Sequence, residues 1–169
     1  SLIAEGQNAD AIKDLKKAEK SVFDYWSYIG IYKRYELLGE TKLSEKVLKN
    51  ALKRNPGNPE LTVLYTSFLN NQGRFDEAEK AGKSLKKTRY ASVYAEAVLR
   101  NHKDEMNKKS SEEYYTNDEY FDLFYDSYSA SGNPAWIRNC ASFYLIRGMY
   151  DSAANLTPSA YYDSDDAYF

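Results

Sequence analysis

The sequence predicts an all-α chain built as a solenoid of repeated helix pairs. Three observations predict it. Marker positions recur at a fixed spacing: Gly39 and Gly73, Ser44 and Ala78, and Ala51 and Leu85 are each 34 apart, and Gly6, Ala11 and Ala18 precede Gly39, Ser44 and Ala51 by 33. Between these marks apolar residues step by three and four, the period of a helix buried along one side. Glycine and proline fall where such helices must stop and start. A period of this length is weighed before any local signal, because it decides the fold.

The elements follow in order. Residues 8–22 read as the second helix of a half repeat. Residues 25–58 form a full repeat, with helices over 25–38 and 42–54 and dense turn chemistry in Asn55-Pro56-Gly57-Asn58-Pro59. Residues 59–88 form the next. Asn58 is its N-cap and Pro59 its first turn. Leu61, Leu64, Tyr65, Phe68 and Leu69 supply its apolar face, and Gly73 its left-handed end. The second helix, 75–87, opens on Asp76-Glu77, where negative charge meets the helix dipole. Gly148 lies 75 residues past Gly73, two periods of 34 plus seven, so residues 89–131 are an irregular repeat with an insertion. Its helices read as 89–107 and 117–131, with a loop near Asn107–Ser111. Residues 134–157 form the last repeat, opened by Pro134 after Gly132-Asn133. There Ile137, Cys140, Ala141, Tyr144 and Leu145 keep the helical period, and Arg147-Gly148-Met149-Tyr150-Asp151-Ser152-Ala153 restates the phrase Gln72–Ala78. Pro158 is expected to end that repeat, and 158–169 to start a further helix. Residues 1–169 thus read as a single array. Both ends read as cut, which points to a segment of a longer chain.

Composition narrows the function. The chain of 169 residues is 43% apolar and 15% aromatic, enough for a core and too rich for disorder. One cysteine and one histidine leave no disulfide framework and no cysteine or histidine metal set. No apolar run approaches a membrane span, which needs roughly 18–20 residues. Charge is uneven. Residues 1–59 carry 11 basic and 8 acidic side chains, residues 60–111 carry 10 and 7, and residues 112–169 carry 2 and 10, for +3, +3 and −8. Ten of the 17 tyrosines lie in that last stretch. Solvated helix faces account for this, and so does a docking surface, since tyrosine offers a large ring together with a hydroxyl.

The 34-residue helix-turn-helix with its small/large pattern resembles the tetratricopeptide repeat. The closest stretch is Pro59 to about Lys86, through Gln72-Gly73-Arg74-Phe75-Asp76-Glu77-Ala78. The unit from Tyr25 to Asn58 matches through Ile31, Tyr35, Gly39, Leu48, Ala51 and Pro56. It departs at Tyr32, where the family prefers Gly or Ala. Thr66 fills that slot one repeat on and Ala141 restores the small residue. A bulky Tyr32 is expected to spread its helix pair or turn outward. The resemblance implies a right-handed α-α superhelix whose first helices line a concave groove.

No catalytic constellation emerges, so the chain reads as non-enzymatic, with no cofactor and no metal. His102, near a predicted helix end, suits the negative end of the dipole. Cys140 lies on an apolar face as a buried thiol. Glu112-Glu113, Asp118-Glu119 and Asp163-Ser164-Asp165-Asp166 lack the glycine and terminal glutamate of a calcium loop, and helix starts explain 118–119 and 165–166. Lys80, Lys83, Lys86, Lys87 and Arg89 read as a solvated face. Nucleic acid is not expected as a partner, for want of a wider basic surface or a motif.

The resemblance places a peptide or protein partner in the groove. The residues facing it would be Trp26, Ile29, Lys33 and Glu36, then Val63, Ser67, Asn70 and Asn71, then Arg138, Ser142 and Leu145. Trp26 is the strongest single candidate, since a half-buried tryptophan is a typical hot spot; packing on Leu15 and Ala18 is the competing account. Asn70 and Asn71 could bond a peptide backbone or only end a helix. The clamp that grips chaperone tails in part of the family is absent, because Ile29, Lys33 and Leu64 stand at its Lys and Asn positions. The expected function is a protein–protein interaction scaffold. The Tyr94–Arg100 phrase is similar in style to repeat proteins of bacterial cell envelopes, which points to an envelope or motility assembly; the compartment stays open between envelope, periplasm and cytoplasm. Two alternatives remain: self-assembly, head to tail, through basic early and acidic late parts, and service as the accessory domain of an enzyme.

Overall fold

The computed structural model describes residues 2–108 and 117–162, with side chains over 8–102 and 117–156. Among the described residues the chain is all helix: α1 (Leu2–Ser21), α2 (Tyr25–Leu37), α3 (Thr41–Arg54), α4 (Pro59–Asn71), α5 (Phe75–Gly82) running into a 3₁₀ turn (Lys83–Leu85), α6 (Ala91–Lys108), α7 (Asp118–Ser131), α8 (Pro134–Ile146) and α9 (Tyr150–Tyr162). They form two compact units, residues 1–68 and 69–169.

The repeated phrase makes a repeated turn. Gly39, Gly73 and Gly148 have φ of 71°, 72° and 71°. At each, the glycine N–H donates to the carbonyl three residues back, at 3.0, 3.1 and 3.1 Å to Glu36, Asn70 and Leu145. The next N–H donates five residues back, at 2.9, 2.9 and 2.8 Å to Tyr35, Leu69 and Tyr144. This is the Schellman ending, which satisfies carbonyls the finished helix leaves over. Five residues past each turn glycine stand Ser44, Ala78 and Ala153, all buried and all small. Recurrence in sequence therefore has one local cause, a turn followed by a slot with room only for a small side chain.

Helix starts are capped by side chains. Asp24 accepts from Ser27 N at 2.9 Å and opens α2, and Asn58 accepts from Leu61 N at 2.9 Å ahead of Pro59. Asn117 and Asn133 do the same for α7 and α8, each at 2.9 Å. Asp118 and Glu119 sit in the first turn of α7, beside the helix's positive end.

The core of the first unit is Tyr28, Ile31 and Tyr35 of α2 with Val47 and Ala51 of α3 and Leu61 of α4. Leu15 of α1 packs at its edge. In the second unit consecutive helices from α5 to α9 pack in turn. Its cores are Ala95, Val98 and Leu123, and Phe124, Ile137, Cys140 and Phe143.

Four expectations are corrected. α1 begins at Leu2, ahead of residue 8. The helix expected over 75–87 ends at Gly82 and tightens into the 3₁₀ turn that buries Leu85, which leaves Lys86, Lys87 and Arg89 on a linker. Gly82 is the weak point, since glycine is a poor helix interior residue. Pro158 lies inside α9. Leu156 holds that helix in the Phe143 cluster, so packing outweighs the lost N–H donor. Tyr32 does not turn outward; it lies half-buried on the α2–α3 core. Residues 109–111 of the expected loop, Glu112-Glu113 and residues 163–169 lie outside the described residues.

Candidate partner-binding surface

In the first unit the exposed side of α2 is the expected surface. The Asp24 cap sets where the helix starts, and its bonds from Ser27 Oγ and N hold the Asp24 carboxyl below its ordinary value. Trp26 and Lys33 follow seven residues apart, on one face. Trp26 is 66% exposed, its ring tilted against Tyr25 at 4.6 Å between centroids. This exposure removes the account in which it packs on Leu15 and Ala18. Lys33 and Glu36 are exposed. Glu36 takes a hydrogen bond from Tyr32, whose hydroxyl is pushed up to about 12, first by burial and then by the Glu36 charge. Ile29 is half-buried against the core, so only its edge faces outward. Val63 and Ser67 lie half-buried on α4.

Beside that face is a feature the sequence reading missed. Ala11, Leu15 and Ala18 of α1 and Leu37 and Leu38 at the end of α2 line an open apolar cleft of about 470 Å³, with Asp14 and Arg34 at its rim. Leu37 is 87% exposed. The available signal was the pair Leu37-Leu38 ahead of Gly39. Only one of two adjacent helical residues can face the core, so the other is left outside.

In the second unit the expected residues divide. Asn70 is 5% exposed, and its Oδ1 is buried without a hydrogen-bond partner, so it is not offered to a peptide. The helix turns it inward beside buried Leu69. Asn71 is exposed at the end of α4. Arg138 is exposed on α8, and Ser142 one turn on donates its hydroxyl to the Arg138 carbonyl at 3.1 Å. Leu145 is exposed on the same helix.

Two isolated residues find structural roles. His102 stands within α6, not at its end, and its Nε2 lies 3.1 Å from Glu79 on α5; Asn101 donates to the same carboxylate at 2.8 Å. Cys140 is fully buried, and burial pushes its thiol up to about 12. Held as thiol, it is a poor nucleophile. The linker residues Lys86, Lys87, Thr88 and Arg89 face Asp126, Ser129 and Ala130 of α7 across a polar cleft. No helix among the described residues is long and apolar enough to cross a membrane.

A fold of recurring helix pairs, Schellman turns and small-residue slots defines a helical-repeat protein, a class that works through extended binding surfaces. Residues 38–99 match the family described as tetratricopeptide repeat, the stretch that holds the Gly39 and Gly73 turns. The chain's fold is similar to the solved structure of MamA 41-end from Desulfovibrio magneticus RS-1, with a TM-score of 0.57 over 98% of this chain and 91% of that one. The two are 12% identical, so the likeness is one of fold. No curated protein matches the sequence.

Proposed function

We propose that this chain is a non-enzymatic interaction scaffold that holds a protein or peptide on the outward faces of its first helices. The single observation that supports this most is Trp26. An indole left 66% in water on a rigid, capped helix is an anchor awaiting a cover, because covering its apolar area on binding is favourable. Lys33 and Glu36 are exposed polar residues about two to three turns further along the same helix, with the edge of Ile29 between. Val63 and Ser67 on α4 are further candidates in the first unit, and Asn71, Arg138 and Ser142 are candidates in the second, each taken by itself. The setting we propose is a bacterial envelope or motility assembly, on the style of the Tyr94–Arg100 phrase. In the fold that phrase also has a packing role, since Ala95, Ala97 and Val98 are buried.

The test is comparative capture. The chain and its Trp26→Ala, Lys33→Ala variant are immobilised, and proteins retained from source lysate are quantified by mass spectrometry. A protein retained by the chain is then titrated against both. At least a tenfold loss of affinity in the variant, with unchanged helicity, is the expected result. Equal retention and equal affinity would place binding elsewhere.

A further inference from the structure

Most charged helix faces in this chain carry ion pairs within the helix. Asp14 meets Lys17 at 3.3 Å, Glu45 meets Lys49 at 2.6 Å, Asp76 meets Lys80 at 2.6 Å and Glu96 meets Arg100 at 2.7 Å. On α3, Lys42, Lys46 and Lys53 close no ion pair with a described residue, and two further faces are uncovered in the same way. On α1, Lys13, Lys16, Lys17 and Lys20 ring a shallow hollow floored by Ala9 and Ile12, and only Lys17 has an ionic partner among the described residues. On α7, Asp118 is taken by Arg147 at 2.5 Å, whereas Glu119, Asp122 and Asp126 close no ion pair with a described residue, although Lys86, Lys87 and Arg89 line the cleft beside half-buried Asp126. Tyr125, 46% exposed, lies one turn past Asp122 at the edge of this stripe, its ring stacked on Phe121 at 6.2 Å between centroids.

The two faces match in length and spacing. Lys13, Lys16 and Lys20 are spaced three and four residues apart, and so are Glu119, Asp122 and Asp126. At about 1.5 Å of rise per residue each stripe is about 10 Å long. Side chains at such intervals share one side of a helix. The lysine stripe repels itself while uncovered, and its stems with Ile12 offer apolar surface around a ring-sized hollow.

We propose that the lysine face of α1 docks a second copy of this chain through the acidic face of its α7, with Tyr125 seated in the hollow over Ala9 and Ile12. Lysine ammonium groups around that ring add cation–π attraction. The two faces are different surfaces, so the contact is head to tail and propagates into a chain of copies unless the rotation closes a ring. The assembly weakens as salt shortens the reach of the charges from roughly 30 Å at 0.01 M to roughly 3 Å at 1 M. The inference is independent of the Trp26 surface.

Sedimentation velocity on the whole chain tests it at 20 mM and 500 mM NaCl over a range of concentrations. The expected result is concentration-dependent growth beyond monomer at low salt, lost at high salt. Lys13→Glu, Lys16→Glu, Lys20→Glu makes both faces acidic, and Asp122→Lys, Asp126→Lys makes both basic. Each variant alone is expected to stay monomeric at low salt with unchanged circular dichroism. Mixing the two restores association, which a folding defect cannot produce. A monomeric parent chain at low salt, self-association of either variant like the parent, or failure of the mixture to associate would each overturn the proposal.

Discussion

Gly73 turns the chain at φ 72°, and a Cβ built on it meets nothing within 4 Å. Any penalty for a side chain there is therefore backbone strain, which is roughly 1–2 kcal/mol for a left-handed residue and larger for a β-branched one. Gly73→Val is expected to lower stability by more than about 1 kcal/mol, read as a lower denaturant midpoint at unchanged slope. An unchanged midpoint would remove the turn assignment. Tyr32 gives a second prediction at this scale. Folded, its phenol holds its proton to about 12, while an unfolded tyrosine loses it near 10. Its contribution to stability is thus complete below pH 10 and fades as pH rises from 10 toward 12. Thermal melts from pH 9 to 11.5 should show a shallower alkaline loss in Tyr32→Phe than in the parent chain; identical slopes would put Tyr32 in water.

At the scale of the element, caps and slots act together. α8 is held at its start by Asn133 Oδ1, which accepts from Ala135 N at 2.9 Å, and preceded by Gly132 at φ 66°. Its body then buries Ile137, Cys140 and Phe143. Asn133→Ala leaves the packing intact and removes the cap, so a loss of about 1 kcal/mol is expected in a chemical denaturation series. Asn133→Gly should lose only a few tenths, which separates the cap bond from the backbone position. α9 shows the opposite balance. Pro158 stands inside it, and the element persists because Leu156 is anchored in the Phe143 cluster. Tertiary burial outweighs local propensity there, as it commonly does in protein helices.

At the scale of the whole molecule, stability and binding are expected to separate. Trp26 and Lys33 carry little of the folding energy because they stand mostly in water. Trp26→Ala should change unfolding free energy by no more than about 0.5 kcal/mol, as surface substitutions do, while weakening partner binding at least tenfold. A large stability loss would show that the ring is part of the core. The uneven charge belongs to this scale as well. The −8 over residues 112–169 and the +3 over residues 1–59 set the sign of any encounter between copies, and salt should tune it without altering helicity.

Period, turns and caps were legible in the sequence because each has a local cause. Gly39, Gly73 and Gly148 were recognisable as turn residues since only glycine enters the left-handed region freely, and one repeated phrase therefore produced one repeated hydrogen-bond pattern. Asn58, Pro59 and Pro134 were readable for the same reason, as caps and first turns act within four residues. The all-α repeat fold follows from those signals alone. Tertiary structure decided what depends on distant neighbours. It turned Asn70 inward while Asn71 stayed outside, left Leu37 in water beside α1, carried α9 through Pro158, and brought Glu79 to His102 across 23 residues. Helical periodicity gives the angle of a side chain about its own axis. Whether that angle meets water or another helix is settled by how the elements pack, and so the candidate surface came only partly from the sequence.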